Sequence, residues 1–191
     1  GIPVVLYKRI DPGELLRHSV ETLKYQTSTR TGGLKTTSRI FGFRPRNTMR
    51  NDFCSATGLS NEQPDKQQVL CEFATHVETV YRRYFPEVYE RHRTEAEKIG
   101  NDWRISDIFT SGIVNKNNPL KYHHDAGNVK NVASNMVVFK RDCTGGYLAM
   151  PEYDIMFECA DNTMMVFDGQ KILHGVTPIY RKTQNAYRFS I

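Results

Sequence analysis

The residues best suited to chemistry are grouped in Tyr122-His123-His124-Asp125-Ala126-Gly127-Asn128, with His174 and Arg188 further along the chain. Side chains alternate on a β-strand, so His123 and Asp125, two apart, are expected on one face and His124 on the other. An imidazole and a carboxylate on that face, joined by the distant imidazole of His174, would make a two-histidine, one-carboxylate facial triad. Such a donor set leaves open positions on a non-haem Fe(II) ion for a chelating co-substrate and O2. Arg188 would then offer a planar guanidinium to a carboxylate of that co-substrate. The same three donors would also suit a hydrolytic zinc centre, but that reading leaves Arg188 without a task.

A His-x-Asp spacing carries little weight alone, and the chain holds a comparable pair in His76-Val77-Glu78. That pair falls in a segment of helical periodicity, where residues i and i+2 do not face each other. What sets His123 and Asp125 apart is the order of features after them. A Gly145-Gly146 turn and several strand-like runs follow, then His174 ahead of Gly175, then Arg188 in a terminal run.

These side chains need a frame. Ile2 to Tyr7 reads as a strand, and Asp11-Pro12-Gly13-Glu14 as a helix start with Asp11 as N-cap. Thr27 to Asn51 reads as loop with short strands, with a turn at Gly32-Gly33 and a strand-like Arg39 to Phe43. After Pro64-Asp65 the apolar positions Val69, Leu70, Phe73, Ala74, Val77, Val80, Tyr81 and Tyr84 fall on one helical stripe, and Pro86 ends it and opens a second helix. From Trp103 the pattern changes to short apolar runs separated by turn residues. The candidate strands are 105–114, 120–124, 133–140, 147–150, 155–159, 164–168, 172–176 and 186–191. Many short, closely spaced strands argue for a jelly-roll or barrel. The expected fold is therefore α+β, a double-stranded β-helix (jelly-roll) core with supporting helices. It is expected as a single domain over residues 1–191, with helical support mainly in 11–99 and the β core mainly in 103–191.

Composition narrows the setting. No apolar run approaches the roughly 18 residues of a membrane-spanning helix, and no signal peptide is visible. A start at Gly1 suggests that the true N-terminus lies upstream. The four cysteines, Cys54, Cys71, Cys143 and Cys159, show no C-x-x-C spacing, which favours reduced thiols and an intracellular setting, nucleus or cytoplasm, a phage-infected cell included. The net charge of +5 is unevenly spread. Between Lys24 and Arg50 lie seven cations (Lys24, Arg30, Lys35, Arg39, Arg44, Arg46, Arg50) and no acid, with Phe41 and Phe43 interleaved. A solvated basic loop would look like this, and so would a phosphate-binding segment.

His123-x-Asp125-x-x-Asn128, Gly145-Gly146-x-Leu148-x-x-Pro151, His174-Gly175-Val176-Thr177-Pro178 and Arg188-Phe189-Ser190 together resemble the iron- and 2-oxoglutarate-dependent dioxygenase superfamily. More narrowly they are similar to the TET/JBP family, which oxidises the 5-methyl group of pyrimidines in nucleic acid. Arg39-Ile40-Phe41-Gly42-Phe43-Arg44-Pro45-Arg46 is similar to that family's substrate-side segment. The resemblance implies Fe(II) on His123, Asp125 and His174, 2-oxoglutarate on Arg188 with Ser190 assisting, and O2 as oxidant. It implies DNA as partner, entered through a flipped base, with Asn128 touching that base and Arg39, Arg44 and Arg46 on the substrate side. In the family, further base-binding residues follow the arginine, beyond Ile191. Asn128 would equally close a turn after Gly127, and its amide, able to donate or accept, does not choose between 5-methylcytosine and thymine. Two other classes stay open: an oxygenase of the same fold acting on a protein side chain or small molecule, and a non-catalytic nucleic-acid-binding module with a vestigial metal site.

Overall fold

Short β-branched and aromatic runs give the strands, and two prolines give the long helices. The computed structural model describes residues 4–29, 35–44 and 53–191. Its elements run β1 (Val5–Arg9), α1 (Glu14–Glu21), β2 (Gln26–Thr29), β3 (Lys35–Arg44), β4 (Ser55–Ala56), α2 (Leu59–Glu62), α3 (Pro64–Tyr84), α4 (Pro86–Ala96) and β5 (Ser111–Lys116). There follow β6 (Leu120–His123), β7 (Ser134–Arg141), β8 (Cys143–Gly145), β9 (Leu148–Met150), β10 (Ile155–Phe157), β11 (Thr163–Phe167), β12 (His174–Val176), β13 (Ile179–Arg181) and β14 (Tyr187–Ser190). The expected strand start at Ile2 and the Gly32-Gly33 turn lie outside the described residues. The chain divides into two compact units, one of residues 1–11, 26–37 and 115–191, the other of residues 12–25 and 38–114.

The first unit is β throughout. Its larger sheet has the order β1-β11-β7-β14-β5-β3-β2, to which β5 and β3 contribute residues 115–116 and 35–37. Its smaller sheet has the order β10-β9-β12-β6, and β13 pairs with β8. One apolar cluster draws Val138, Met165 and Phe167 from the larger sheet and Leu148, Met150 and Val176 from the smaller one, with Cys159 and Ile172 from connecting segments. Two antiparallel sheets sharing one apolar filling are the double-stranded β-helix expected from the sequence.

The second unit carries the helices. Pro64 and Pro86 each occupy a first helical turn, where a missing N–H costs nothing. The stripe of α3 buries Leu70, Phe73, Ala74, Val77, Glu78 and Tyr81, and α4 buries Val88, Tyr89, His92 and Ala96. Glu78 is a buried carboxylate satisfied from two sides: Tyr89 donates its hydroxyl at 2.6 Å and the Asp107 backbone N–H donates at 3.1 Å. Among the described residues no helix is long and apolar enough to cross a membrane.

Local expectations fail where backbone geometry overrides composition. Helix α1 starts at Glu14 behind Gly13, whose φ of 75° makes the entry turn, and Asp11 does not cap it. The strand-like run at Arg39 to Phe43 lies within β3, which is longer than expected and takes in Lys35 to Ser38 and Arg44, because β-branched residues fit a pleated surface. Strand β5 begins at Ser111, not Ile105, and the short pair β8/β13 has no sequence forecast at all.

His92 provides a test of this packing. Its ring stands edge-on to Tyr81 and Phe109 at 6.0 and 5.7 Å, its Nδ1 has no hydrogen-bond partner, and burial drives its pKa down to about 4. The unfolded chain therefore takes up a proton near the ordinary pKa of about 6.5 that the folded chain refuses until pH 4. Stability attributable to His92 is full above pH 6.5 and falls by roughly 3 kcal/mol on acidification to pH 4. His92→Phe, which keeps the ring, is expected to remove that loss and leave neutral-pH stability equal or higher. Urea unfolding of both proteins at about pH 7.5 and about pH 4.5 measures it.

Candidate metal centre

Strand pairing brings the two histidines together. In the antiparallel pair β6/β12, His123 stands opposite His174, and the ring centroids are 4.5 Å apart. Each ring is fixed by the main chain two residues upstream: His123 Nδ1 lies 2.8 Å from Lys121 O, and His174 Nδ1 lies 2.8 Å from Ile172 O. A carbonyl only accepts, so both Nδ1 atoms carry the proton and both Nε2 atoms present lone pairs, the tautomer a metal requires. His174 is buried, which lowers its pKa and keeps it neutral, and Phe167 stands edge-on to it at 5.0 Å.

Asp125 reaches the same point by a different route from the one the spacing predicts. Strand β6 ends at His123, and Asp125 lies in the loop beyond, held by its N–H to Gly169 O at 2.8 Å. Its Oδ1 lies 3.5 Å from His123 Nε2 and its Oδ2 lies 3.8 Å from His174 Nε2. Burial works to raise its pKa, but His123 and His174 in their protonated forms, together with the Ser134 hydroxyl, outweigh it, so the carboxyl sits below the usual range. The three ligand atoms lie within 4.8 Å of one another, the one such group among the described residues. Two imidazole nitrogens and one carboxylate oxygen, without a thiolate, suit a divalent metal with open positions. His124 is exposed. In the comparison pair, Glu78 is buried and bonded to Tyr89 while His76 lies against Phe73, so no ligand pair exists there.

Arg188 lies on β14, between β7 and β5, and is 2% exposed. Its Nε donates to Gly146 O at 2.9 Å, and its Nη2 is buried without a hydrogen-bond partner among the described residues. No acidic side chain of the described residues offsets its charge; the thiols of Cys159 and Cys143 are the groups that act on it, and burial lowers its pKa. The Gly-Gly motif now has a physical basis. Gly146 has a φ of 67°, and a Cβ there would stand 2.5 Å from Arg188 Cδ and 2.8 Å from Nε; at Gly145 it would strike Pro178 O. A buried guanidinium with an orphaned nitrogen is complementary to a carboxylate from outside the chain. Ser190, buried two residues on, shares the face of Arg188 by strand alternation.

Asn128 both closes the turn and backs onto the centre. Its N–H donates to Asp125 O at 3.0 Å, while its Nδ2 lies 2.9 Å from Ser134 Oγ and 3.4 Å from Asp125 Oδ2. A carboxylate only accepts, so the amide nitrogen faces it and Oδ1 is the atom turned elsewhere. Ser134 and Gly169, which sequence reasoning missed, carry no motif that would have marked them. The basic segment needs correction. Arg39 is buried, paired with Glu62 at 2.9 Å and donating to Lys24 O, so its charge is not available to phosphate. Phe41 is buried against Gly112 and Phe43 meets Trp103 edge-on at 5.5 Å, so these aromatics pack instead of stacking on bases. Arg44 is exposed, with Nε donating to Ser55 Oγ at 2.7 Å, and Arg46 lies outside the described residues.

Removal of any one of the His123, Asp125 or His174 side chains by alanine is expected to abolish Fe(II) uptake, whereas His124→Ala is expected to bind as the parent does. Anaerobic calorimetric titration with Fe(II) checks both halves of this statement.

Comparison with known proteins follows the geometry. The Tet_JBP family profile, described as the oxygenase domain of the 2OGFeDO superfamily, matches residues 43–191. A solved structure of NgTET1 in complex with 5mC DNA superimposes with a TM-score of 0.68 at 17% identity, covering 97% of this chain and 69% of that one. The structure of OsALKBH1 superimposes with a TM-score of 0.52 at 11% identity, covering 98% of this chain and 96% of that one. No curated protein sequence matches the chain. The profile spans most of the chain and includes every residue of the histidine–aspartate cluster and Arg188, and the chain therefore belongs to the Tet_JBP family of 2-oxoglutarate- and iron-dependent dioxygenases.

Proposed function

We propose that residues 1–191 serve as one catalytic domain that oxidises the 5-methyl group of a pyrimidine in DNA. Fe(II) is held by His123, Asp125 and His174, and 2-oxoglutarate by Arg188 with Ser190 beside it. The observation that carries the co-substrate assignment is the buried Arg188, whose Nη2 has no hydrogen-bond partner among the described residues. When bound, iron and 2-oxoglutarate supply an oxidation by O2 in which one oxygen atom enters a substrate C–H bond and the other enters succinate, with loss of CO2.

The chain's own contribution is positioning. Lys121 O and Ile172 O hold the Nε2 lone pairs of both histidines toward Asp125. Arg188, held by Gly146 O, orients the far carboxylate of the co-substrate. A fixed guanidinium loses less freedom on binding than a flexible ammonium, which favours a single productive pose.

Support for a nucleic-acid substrate comes from the family and from the acid-free segment between Lys24 and Arg50, in which Arg44 and Arg46 are the proposed phosphate contacts. A base inside a duplex is out of reach, so the target nucleotide must be flipped, at a cost of a few kcal/mol that phosphate contacts offset. Asn128 supports a choice of base. With its nitrogen engaged by Ser134 and Asp125, it presents Oδ1, an acceptor. An acceptor complements the 4-amino group of 5-methylcytosine and opposes the 4-oxo group of thymine.

Incubation with 5-methylcytosine-containing DNA, Fe(II), 2-oxoglutarate and ascorbate, followed by nucleoside mass spectrometry, is expected to give 5-hydroxymethylcytosine well in excess of 5-hydroxymethyluracil. Succinate formation without any oxidised pyrimidine would reassign the substrate to a protein side chain or small molecule. Arg188→Lys is expected to raise the 2-oxoglutarate requirement at least about tenfold, since an ammonium lacks the two-pronged fork, with metal content unchanged. An unaltered requirement would remove Arg188 from the site.

A further inference from the structure

We propose that Asn128 and Ser134, walled in by Gly169, clamp Oδ2 of Asp125 so that the carboxylate meets its metal through Oδ1 alone. The inference rests on the reading of His123, Asp125 and His174 as a metal centre and goes beyond it. A carboxylate has two equivalent oxygens and binds a metal through one or both. In a three-residue site the difference matters, because a second oxygen occupies a position that a co-substrate or O2 would otherwise take.

Three features on three different segments converge on Oδ2. The Ser134 hydroxyl, at the start of β7, donates to Oδ2 at 3.5 Å, and the Asn128 amide donates to it at 3.4 Å. The short link is between the two clamp residues: Asn128 Nδ2 donates to Ser134 Oγ at 2.9 Å, which occupies the acceptor side of the hydroxyl and turns its proton toward the carboxylate. The third feature is a wall. A Cβ at Gly169 would stand 2.5 Å from Oδ2 and 2.7 Å from Ser134 Oγ, so the main chain of residue 169 lies directly against this oxygen. The wall is tied to the ligand loop twice, by Asp125 N–H to Gly169 O at 2.8 Å and by Gln170 Nε2 to Asn128 O at 2.8 Å. Oδ1 lies 3.5 Å from His123 Nε2, while the clamped Oδ2 stands further from its nearer imidazole, 3.8 Å from His174 Nε2.

The contacts to Oδ2 are long, and each is weak alone. Their effect comes from pinning one oxygen of a pair, which fixes the plane of the carboxylate. Outer contacts of this kind tune metal affinity by about 10- to 100-fold in other sites. Asn128 and Ser134 are therefore positioning residues that act through Asp125.

Anaerobic titration of the full chain with Co(II), followed by calorimetry and by visible absorption, tests the clamp without relying on turnover. Ser134→Ala and Asn128→Ala are each expected to weaken Co(II) binding about tenfold. They should also change the band intensity of the fully loaded protein, which reports coordination number, and lower 2-oxoglutarate affinity of the Co(II) form, with metal-free thermal unfolding unchanged. Ser134→Thr, which keeps the hydroxyl, is expected to restore the parent spectrum. If both alanine variants bind Co(II) with parent affinity and parent spectrum, the clamp is wrong while the metal centre stands. If affinity falls but the loaded spectrum is unchanged and Thr restores nothing, the residues only support the loop and the proposal fails. A parent protein that takes up no Co(II) would overturn the centre itself, and the clamp with it.

Discussion

A permanently charged guanidinium, sealed from water with no acidic partner among the described residues, is the constraint on which the β unit depends. Burying one ion without a counterion costs several kcal/mol, and Arg188 is 2% exposed, with the thiols of Cys159 and Cys143 and the Gly146 carbonyl as the polar groups that act on it among the described residues. Much of the local sequence follows from housing it. Residue 146 must lack a side chain, and β14 is held at Arg188 by Asn117 through both the side chain and the main chain. Cys159 takes up a left-handed backbone, φ 51°, at the edge of the apolar cluster. Under the proposed reading, a ligand carboxylate would relieve this cost on arrival, and part of its binding energy would be energy the fold otherwise lacks.

The histidine–aspartate cluster follows a different logic, in which the main chain does most of the fixing. Carbonyls at Lys121 and Ile172 set both tautomers, and the carbonyl of Gly169 holds Asp125. Main-chain groups are set by strand register, so the geometry of the donors is a property of the β6/β12 pair more than of neighbouring side chains. His174 belongs to the packed interior and His123 to its margin. The cluster thus has one buried, desolvated wall and one accessible side.

What the sequence made legible was the chemistry and the periodic elements. Two prolines and an apolar stripe located α3 and α4, and the order of His123, Asp125 and His174 anticipated a cluster, whereas the burial of Arg188 was not foreseen. The reasons behind the motif were not legible. Alternation predicted the correct side for Asp125 for the wrong reason, since the strand stops at His123 and a loop contact takes over. Asp11 lost the helix start to Gly13, because a positive φ mattered more than a capping side chain. Arg39 and Phe41 looked like binding residues only because sequence does not show burial; the exposed carboxylate of Glu62 claims the buried Arg39, and close packing claims Phe41. Ser134 and Gly169 were invisible, since their roles arise from tertiary proximity to Asp125 alone.

The position of β14 bears on the order of assembly. It follows every other strand in the sequence, yet it lies inside the larger sheet, paired to β7 on one side and β5 on the other. Just beyond it, Ile191 exchanges two main-chain hydrogen bonds with Val137, each 2.9 Å. Until this segment is synthesised, β7 and β5 each present an open edge, and an open edge invites pairing with other chains. The sheet closes only by contacts of long sequence separation, which form slowly. A nascent chain thus passes through a stage with its interior strands exposed, and the same strand that ends this hazard brings in Arg188.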